Sequence, residues 1–298
     1  MTEARELLAV AAEAAAAGAA VLAERDAVAP SGRVLRGDES GLETKSSEAD
    51  LVTDFDRRSE QAVRAVIGRR RPQDAITGEE YGTSAPEQAS GIRWSIDPLD
   101  GTTNFVRGIV YYGTSVAVQG PDGDWLAGVV HAPALDRLWW ASRGAGAFTG
   151  RVSTARPGAG DGAGGVDDAG QPGVDRLSGP QGTRAAGLLS TGFGYDAARR
   201  EQQVSAVVEL LGGFGNLRRL GAAALDICMV ADGTVEAYAE YGIQEHDWAA
   251  GALIAEEAGV PMRRPLAADG AAHPDWCIAG DLGVPHEQLR PTPRETAA

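Results

Sequence analysis

Apolar positions recur along this chain at two different periods. Over residues 3–25 they fall at helical spacing, with Leu7, Leu8, Val21 and Leu22 forming one face. A second helix is expected to begin at Thr53, because Thr53 and Asp56 stand three apart as a capping box requires. Phe55, Ala62, Val63, Val66 and Ile67 continue its apolar stripe, and Gly68 marks its expected end. The pattern then shortens. Ile92–Ile96, Tyr111–Val118, Trp125–Val130 and Leu138–Ala141 read as strands. Gly120-Pro121-Asp122-Gly123 supplies the turn between the second and third.

Residues 156–183 break the pattern. They are rich in Gly, Asp, Ala and Pro and carry almost no large apolar side chain, so they read as a surface loop or insertion. Beyond them, elements alternate: strands at 185–190, 217–220 and 235–238, and helices at 197–211, 222–231 and 247–258. Such alternation suits an α/β half with helices covering a sheet. The chain therefore divides into 1–155, an α+β half with an antiparallel sheet; 156–183, the insertion; and 184–298, an α/β half.

Composition narrows the function. The 298 residues carry 27 basic and 42 acidic side chains, a net charge of −15. Nucleic acid and anionic lipid are unsuitable partners for such a chain. Phosphorylated substrates remain open, since a bound divalent cation reverses the local sign. Cys228 and Cys277 have neither disulfide-framework nor CxxC spacing, which fits a reduced, cytoplasmic compartment. The N-terminal apolar run is broken by Glu13 and reads as too weak for a membrane span.

Four segments gather acids in unusual surroundings: Asp50–Asp56, Gly78-Glu79-Glu80-Tyr81, Asp97–Phe105 and Glu245–Gly251. In the third, Asp97-Pro98-Leu99-Asp100 runs into Gly101-Thr102-Thr103. Pro98 biases Asp97 toward an extended backbone, so both aspartates can face one point, and the turn beyond can present N–H groups to a phosphate. Clustered carboxylates repel unless a cation joins them, and an all-oxygen set without His or Cys suits Mg²⁺ rather than zinc.

These segments, in this order, resemble the inositol monophosphatase family of metal-dependent, lithium-sensitive phosphatases, over about Ala4 to Val260. Asp97-Pro98-Leu99-Asp100-Gly101-Thr102-Thr103-Asn104-Phe105 is its most specific motif, supported by Asp247-Trp248-Ala249-Ala250-Gly251, Gly78-Glu79-Glu80 and Lys45–Thr53. The resemblance implies a layered α/β sugar-phosphatase fold of alternating α-β-α-β-α layers. It also implies Glu79, Asp97 and the Leu99 carbonyl as ligands of a first Mg²⁺, and Asp97, Asp100 and Asp247 as ligands of a second. A third, weaker ion would lean on Glu79. Thr102 and Asp56 would orient and deprotonate the attacking water, with Glu79 also in the catalytic set. Gly101 and Thr102 would cradle the phosphate, while Asp100, Ala223, Glu240 and Asp247 would contact the substrate.

The implied reaction is hydrolysis of a small polyol phosphate, inositol 1-phosphate first, by in-line attack of an activated water in a homodimer. Histidinol phosphate, fructose 1,6-bisphosphate and 3′-phosphoadenosine 5′-phosphate are the sister substrates. Glu240 favours a neutral polyol, and basic side chains near Tyr195 and Gly221 would reverse that preference. A regulatory partner of the transcription machinery is the reading from another class. His246 and Tyr195 depart from the family's usual residues, in places that touch specificity. Arg199-Arg200 and Arg218-Arg219 read as solvated faces, with Arg218 as a weaker substrate-edge candidate, and Asp56 has a simpler role as a helix cap.

Overall fold

The computed structural model describes residues 2–36, 41–44, 51–153, 173–265 and 275–289. Lys45, Asp50, His273 and the 154–172 part of the Gly-rich segment lie outside them.

Helices α1 (Thr2–Ala23) and α2 (Asp54–Arg70) form the first layer. The capping box at Thr53 is present, but Gly68 does not end α2, which runs on to Arg70. A lone glycine inside a packed helix costs only about 1 kcal/mol, too little to stop it. Beneath lies an eight-stranded sheet. Its strands are β1 (Ala75–Gly78), β2 (Gly82–Ser84), β3 (Arg93–Asp100), β4 (Gly113–Gln119), β5 (Trp125–Ala132), β6 (Arg137–Ser142), β7 (Gly146–Gly150) and β8 (Val174–Arg176). A short helix, α3 (Thr102–Arg107), follows β3. The spatial order is β8-β7-β6-β5-β4-β3-β1-β2, antiparallel except where β1 runs parallel to β3. Strand β8 falls inside the segment read as a loop. It pairs Val174–Arg176 with Phe148–Gly150, so the first sheet reaches past residue 155.

The second half carries β9 (Leu188–Thr191), α4 (Ala197–Leu211), β10 (Asn216–Arg218), α5 (Ala223–Ala231), β11 (Ala237–Tyr241), α6 (Glu245–Glu257), β12 (Met262–Arg263) and β13 (Trp276–Gly280). Its sheet has the order β10-β9-β11-β13-β12, parallel around β9 and antiparallel beyond β11.

Side-chain alternation explains the layering. Val116, Val118, Val129 and Trp140 point into a core shared with Leu7, Val10, Val63 and Ile67 of α1 and α2. Their neighbours Ala117, Val130 and Trp139 point the other way, into a core with α5, α6 and the second sheet. Period-two strands with both faces apolar must be covered on both sides. Trp139 and Trp140 thus serve opposite cores. Leu189, Ala206, Leu210 and Ala237 fill a third core between the second sheet and α4, which completes the α-β-α-β-α stack.

Ala4–Val28 has the length and mean hydropathy (1.7) of a bilayer span, more than the sequence reading allowed. In the structure its apolar side packs against α2 and the first sheet. Central helix α6 is buried along Trp248–Ala255 and approaches closely through small residues. At Gly128 of β5 a Cβ would stand 3.0 Å from both the Cα and the carbonyl oxygen of Ala250. Backbone cannot yield as a side chain can. Gly128→Val is therefore expected to cost about 1–3 kcal/mol, read as a lowered midpoint in thermal or urea unfolding; an unchanged midpoint would show that α6 does not seat on β5 this tightly.

Candidate active site

The two sheets bring the sequence-predicted residues to one cavity of about 530 Å³. Glu79, Asp97, Leu99, Asp100, Gly101 and Thr102 line it from the first half, and Ala223, Glu240 and Asp247 from the second. Asp56 stands one layer behind.

Local irregularity aims the carboxylates. In a regular strand, residues three apart point to opposite faces. Between β3 and β4, however, Asp97 pairs with Ser115 while Asp100 pairs with Gly113, so β3 carries one extra residue across the same span. This bulge turns Asp97 and Asp100 toward the same side. Pro98 is fixed at its centre: its carbonyl accepts from Ser59 Oγ at 2.9 Å and from Thr114 Oγ1 at 3.1 Å. The Leu99 N–H closes the turn by donating to Asp97 Oδ1 at 3.0 Å. Gly101 has φ +92°, a conformation open to glycine, and a Cβ there would stand 3.0 Å from the Tyr111 carbonyl.

Glu79 is placed by a residue that the sequence did not single out. Buried Glu60 accepts from the Glu80 N–H at 2.7 Å and the Tyr81 N–H at 3.3 Å, and pairs with Arg64 at 2.6 Å. Asp247 sits in the first turn of α6, whose start is held by a bidentate Arg93–Glu245 pair at 2.5 and 2.9 Å. Asp247 Oδ2 accepts from the Gln244 N–H at 2.5 Å, and His246 Nε2 lies 3.5 Å from Oδ1.

Asp56 combines its two predicted roles. Oδ2 accepts from Thr53 N–H and Oγ1 at 2.8 and 2.6 Å, which caps α2. Oδ1 lies 3.0 Å from Thr102 Oγ1, which is also 3.1 Å from the Leu99 carbonyl. The simple reading and the catalytic one use different oxygens of one carboxylate.

Asp100 has a further role that was not visible in the sequence. Its carboxylate accepts from the Ala223 and Ala224 N–H groups at 3.0 and 2.8 Å, capping α5 across the interface between the halves. Asn104 makes a second tie, donating to the carbonyls of Tyr111 and Leu220 at 2.7 and 2.8 Å. Arg199 and Arg219, read from the sequence as solvated faces, both stand in the cavity wall; of the Arg218-Arg219 pair it is Arg219, not the substrate-edge candidate Arg218, that lies there. The only sequence signal for Arg219 is its place two residues before Gly221.

Among the described residues, no three carboxylates already converge as a closed cation cage. The donor set nevertheless fits a hard divalent cation. All donors are oxygens, and burial with the charges of Glu79, Asp100 and Asp247 holds the Asp97 carboxyl well above the usual range. Burial, then Asp247, does the same to Asp100. A cation relieves both causes at once.

Burial pushes Asp56 and Glu240 up to about 7 and Asp226 up to about 8. In the unfolded chain such groups titrate near 4. Above the lower of these limits the folded state holds more protons, so folding stability falls as pH rises. Buried His131, pushed down to about 4 by burial, opposes this only below pH ~6.5. Metal-free protein is therefore expected to melt several degrees higher at pH 5.5 than at pH 8, and Mg²⁺ to raise the midpoint more at pH 8. A flat profile without metal would contradict the carboxylate energetics.

Known proteins match this arrangement. The model of the inositol monophosphatase family matches residues 3–279. Inositol-1-monophosphatase of Mycobacterium bovis is 39% identical over 232 residues, covering 75% of this chain and 72% of that protein. Histidinol-phosphatase of Mycobacterium tuberculosis is 36% identical over 241 residues, covering 80% and 82%. The solved structure of Mycobacterium tuberculosis SuhB superposes with a TM-score of 0.68 at 32% identity, over 97% of this chain and 94% of that one. With the family's motifs lining one cavity between its two sheets, the chain belongs to the inositol monophosphatase family and is a phosphatase.

Proposed function

We propose that this phosphatase is a Mg²⁺-dependent phosphomonoesterase for small polyol phosphates, inositol 1-phosphate first among them, releasing myo-inositol and phosphate. The observation that carries the reading is the Thr102–Asp56 pair at the edge of the carboxylate-lined cavity. Glu79, Asp97, the Leu99 carbonyl, Asp100 and Asp247 are the groups that would hold two to three ions. When bound, the ions supply positive charge for the phosphate and for activation of water.

The chain's own part follows from geometry. Thr102 Oγ1 donates to Asp56 Oδ1 and so keeps a lone pair for an O–H of the attacking water. As that water attacks phosphorus in line, its proton passes to Thr102 Oγ1 while the Thr102 proton passes to Asp56. An Asp56 carboxyl near 7 is matched to that task at neutral pH. N–H groups of Gly101 and Thr102, at the start of α3 and in the cavity lining, would cradle the phosphate. Glu240 would receive polyol hydroxyls; Tyr238 OH donates to it at 2.9 Å, and the missing Cβ of Gly192 leaves it room.

With this reading go a homodimer, a cytoplasmic setting, and two halves, 1–155 and 184–298, sharing one cleft. Histidinol phosphate is the second reading, favoured by the histidinol-phosphatase relative. No observation favours the transcription-partner reading over catalysis.

Phosphate release from a panel of monoesters with Mg²⁺ decides between them. Inositol 1-phosphate is expected to lead; a lead of tenfold or more for histidinol phosphate would replace it. Asp97→Asn is expected to lower kcat at least ~100-fold and to demand more Mg²⁺, and lithium to inhibit at millimolar order. Wild-type turnover in Asp97→Asn would sink the ion-site assignment.

A further inference from the structure

One nitrogen stands among the oxygens of the cavity, and the proposed reaction leaves it unused. His246 lines the cavity beside Asp247, and its side chain is only 19% exposed, so bulk water has little access to the ring. Its backbone is held from two sides. The His246 carbonyl accepts from Ser115 Oγ at 3.4 Å, and Ser115 is the β4 residue that pairs with Asp97 of β3. The preceding residue, Glu245, is clamped by Arg93. The imidazole therefore starts from the corner that brings Asp97 and Asp247 together.

Within Asp247 the two oxygens differ. Oδ2 accepts from the Gln244 N–H at 2.5 Å and closes the cap of α6. Oδ1 is the atom that faces the imidazole, with His246 Nε2 at 3.5 Å. That separation is longer than an N–H···O hydrogen bond, which spans about 2.7–3.2 Å. It is close to the spacing of two donors on one ion. With both bonds near ~2.1 Å, donors lie about 3.0 Å apart at a right angle and about 3.4 Å apart at the tetrahedral angle. The pair is spaced for a cation shared between Oδ1 and Nε2 more than for a direct bond between them.

We propose that His246 Nε2 is a ligand of the cation at Asp247, and that this position selects a borderline transition-metal ion, of the Co²⁺ or Zn²⁺ kind, over Mg²⁺. Mg²⁺ bonds to oxygen and gains little from imidazole, whereas later first-row ions bind imidazole well. Asp97 and Asp100 complete the oxygen side of this position. The other position, at Glu79, Asp97 and the Leu99 carbonyl, has oxygen donors alone and stays a Mg²⁺ site. One cavity then pairs a hard ion with a borderline one. This rests on the cation site of the proposed phosphatase and deepens it, by naming the ion that one of its positions selects.

Co²⁺ is the probe, since it is paramagnetic and shares the ligand preferences of Zn²⁺. Metal-free protein is titrated with Co²⁺ and, separately, with Mg²⁺ by calorimetry, and proton NMR spectra are recorded on the Co²⁺ form. Wild type is expected to show strongly shifted imidazole ring-proton resonances, and His246→Gln to lack them. The variant is also expected to lose Co²⁺ affinity at least ~10-fold while its Mg²⁺ affinity changes less than ~3-fold. Mg²⁺ binding without shifted imidazole resonances in wild type, or equal losses for both ions in the variant, would overturn His246 as a ligand and leave the carboxylate site standing. Tighter binding of both ions by the variant would overturn it too, by showing that the imidazole opposes the cation. Failure of wild type to bind either ion would overturn the parent reading as well. Circular dichroism and melting separate a lost ligand from a lost fold, and the wild-type spectrum tests the assignment without any variant.

Discussion

Four carboxylates gathered where two sheets meet are the constraint on which this structure turns. Asp97 and Asp100 are buried, and each is raised by the charge of its acidic neighbours as well as by loss of water. Charged carboxylates in such a place are unfavourable by several kcal/mol unless protonated or joined to a cation. Around them the chain builds backbone donors instead of basic side chains. Leu99 serves Asp97, Ala223 and Ala224 serve Asp100, and Gln244 serves Asp247. Those donors hold the acids in place without neutralising them, which leaves the remaining charge for a cation to meet.

The same contacts bind the halves together. Asp100 belongs to the first sheet and caps a helix of the second half, while Asn104 reaches the link before that helix. Arg93 and Glu245 clamp the start of α6 to β3. Helix α6, apolar along Trp248–Ala255, then fills the space between the sheets. The cavity is thus a seam where elements distant in sequence must all arrive. The −15 charge acquires structure in this way: part of it is concentrated in one seam, whose lining also includes Arg199 and Arg219.

Much of this was legible beforehand. The period of apolar residues located α1, α4, α5 and α6 and most central strands, and the spacing of Thr53 and Asp56 announced the cap on α2. The motif Asp97–Phe105 named the carboxylates that share the cavity. What escaped has local causes. Strand β7 is five residues ending in glycine, and β8 hides in a Gly-rich segment, so neither shows a pattern. The bulge that aligns Asp97 with Asp100 depends on the register with β4, which no window along one strand contains. Glu60 and Arg219 look like ordinary surface charges until the fold shows Glu60 under the Glu79 turn and Arg219 over Gly221.

The central claim is that buried, mutually repelling carboxylates form the cation site. Titration calorimetry of Mg²⁺ into metal-free protein at pH 7, in two buffers of different ionisation heat, tests it directly, because the buffer dependence counts the protons displaced. The account predicts saturable binding with release of about one proton or more per chain, and loss of both in Asp97→Asn. Binding with no proton released, or no binding at all, would contradict it.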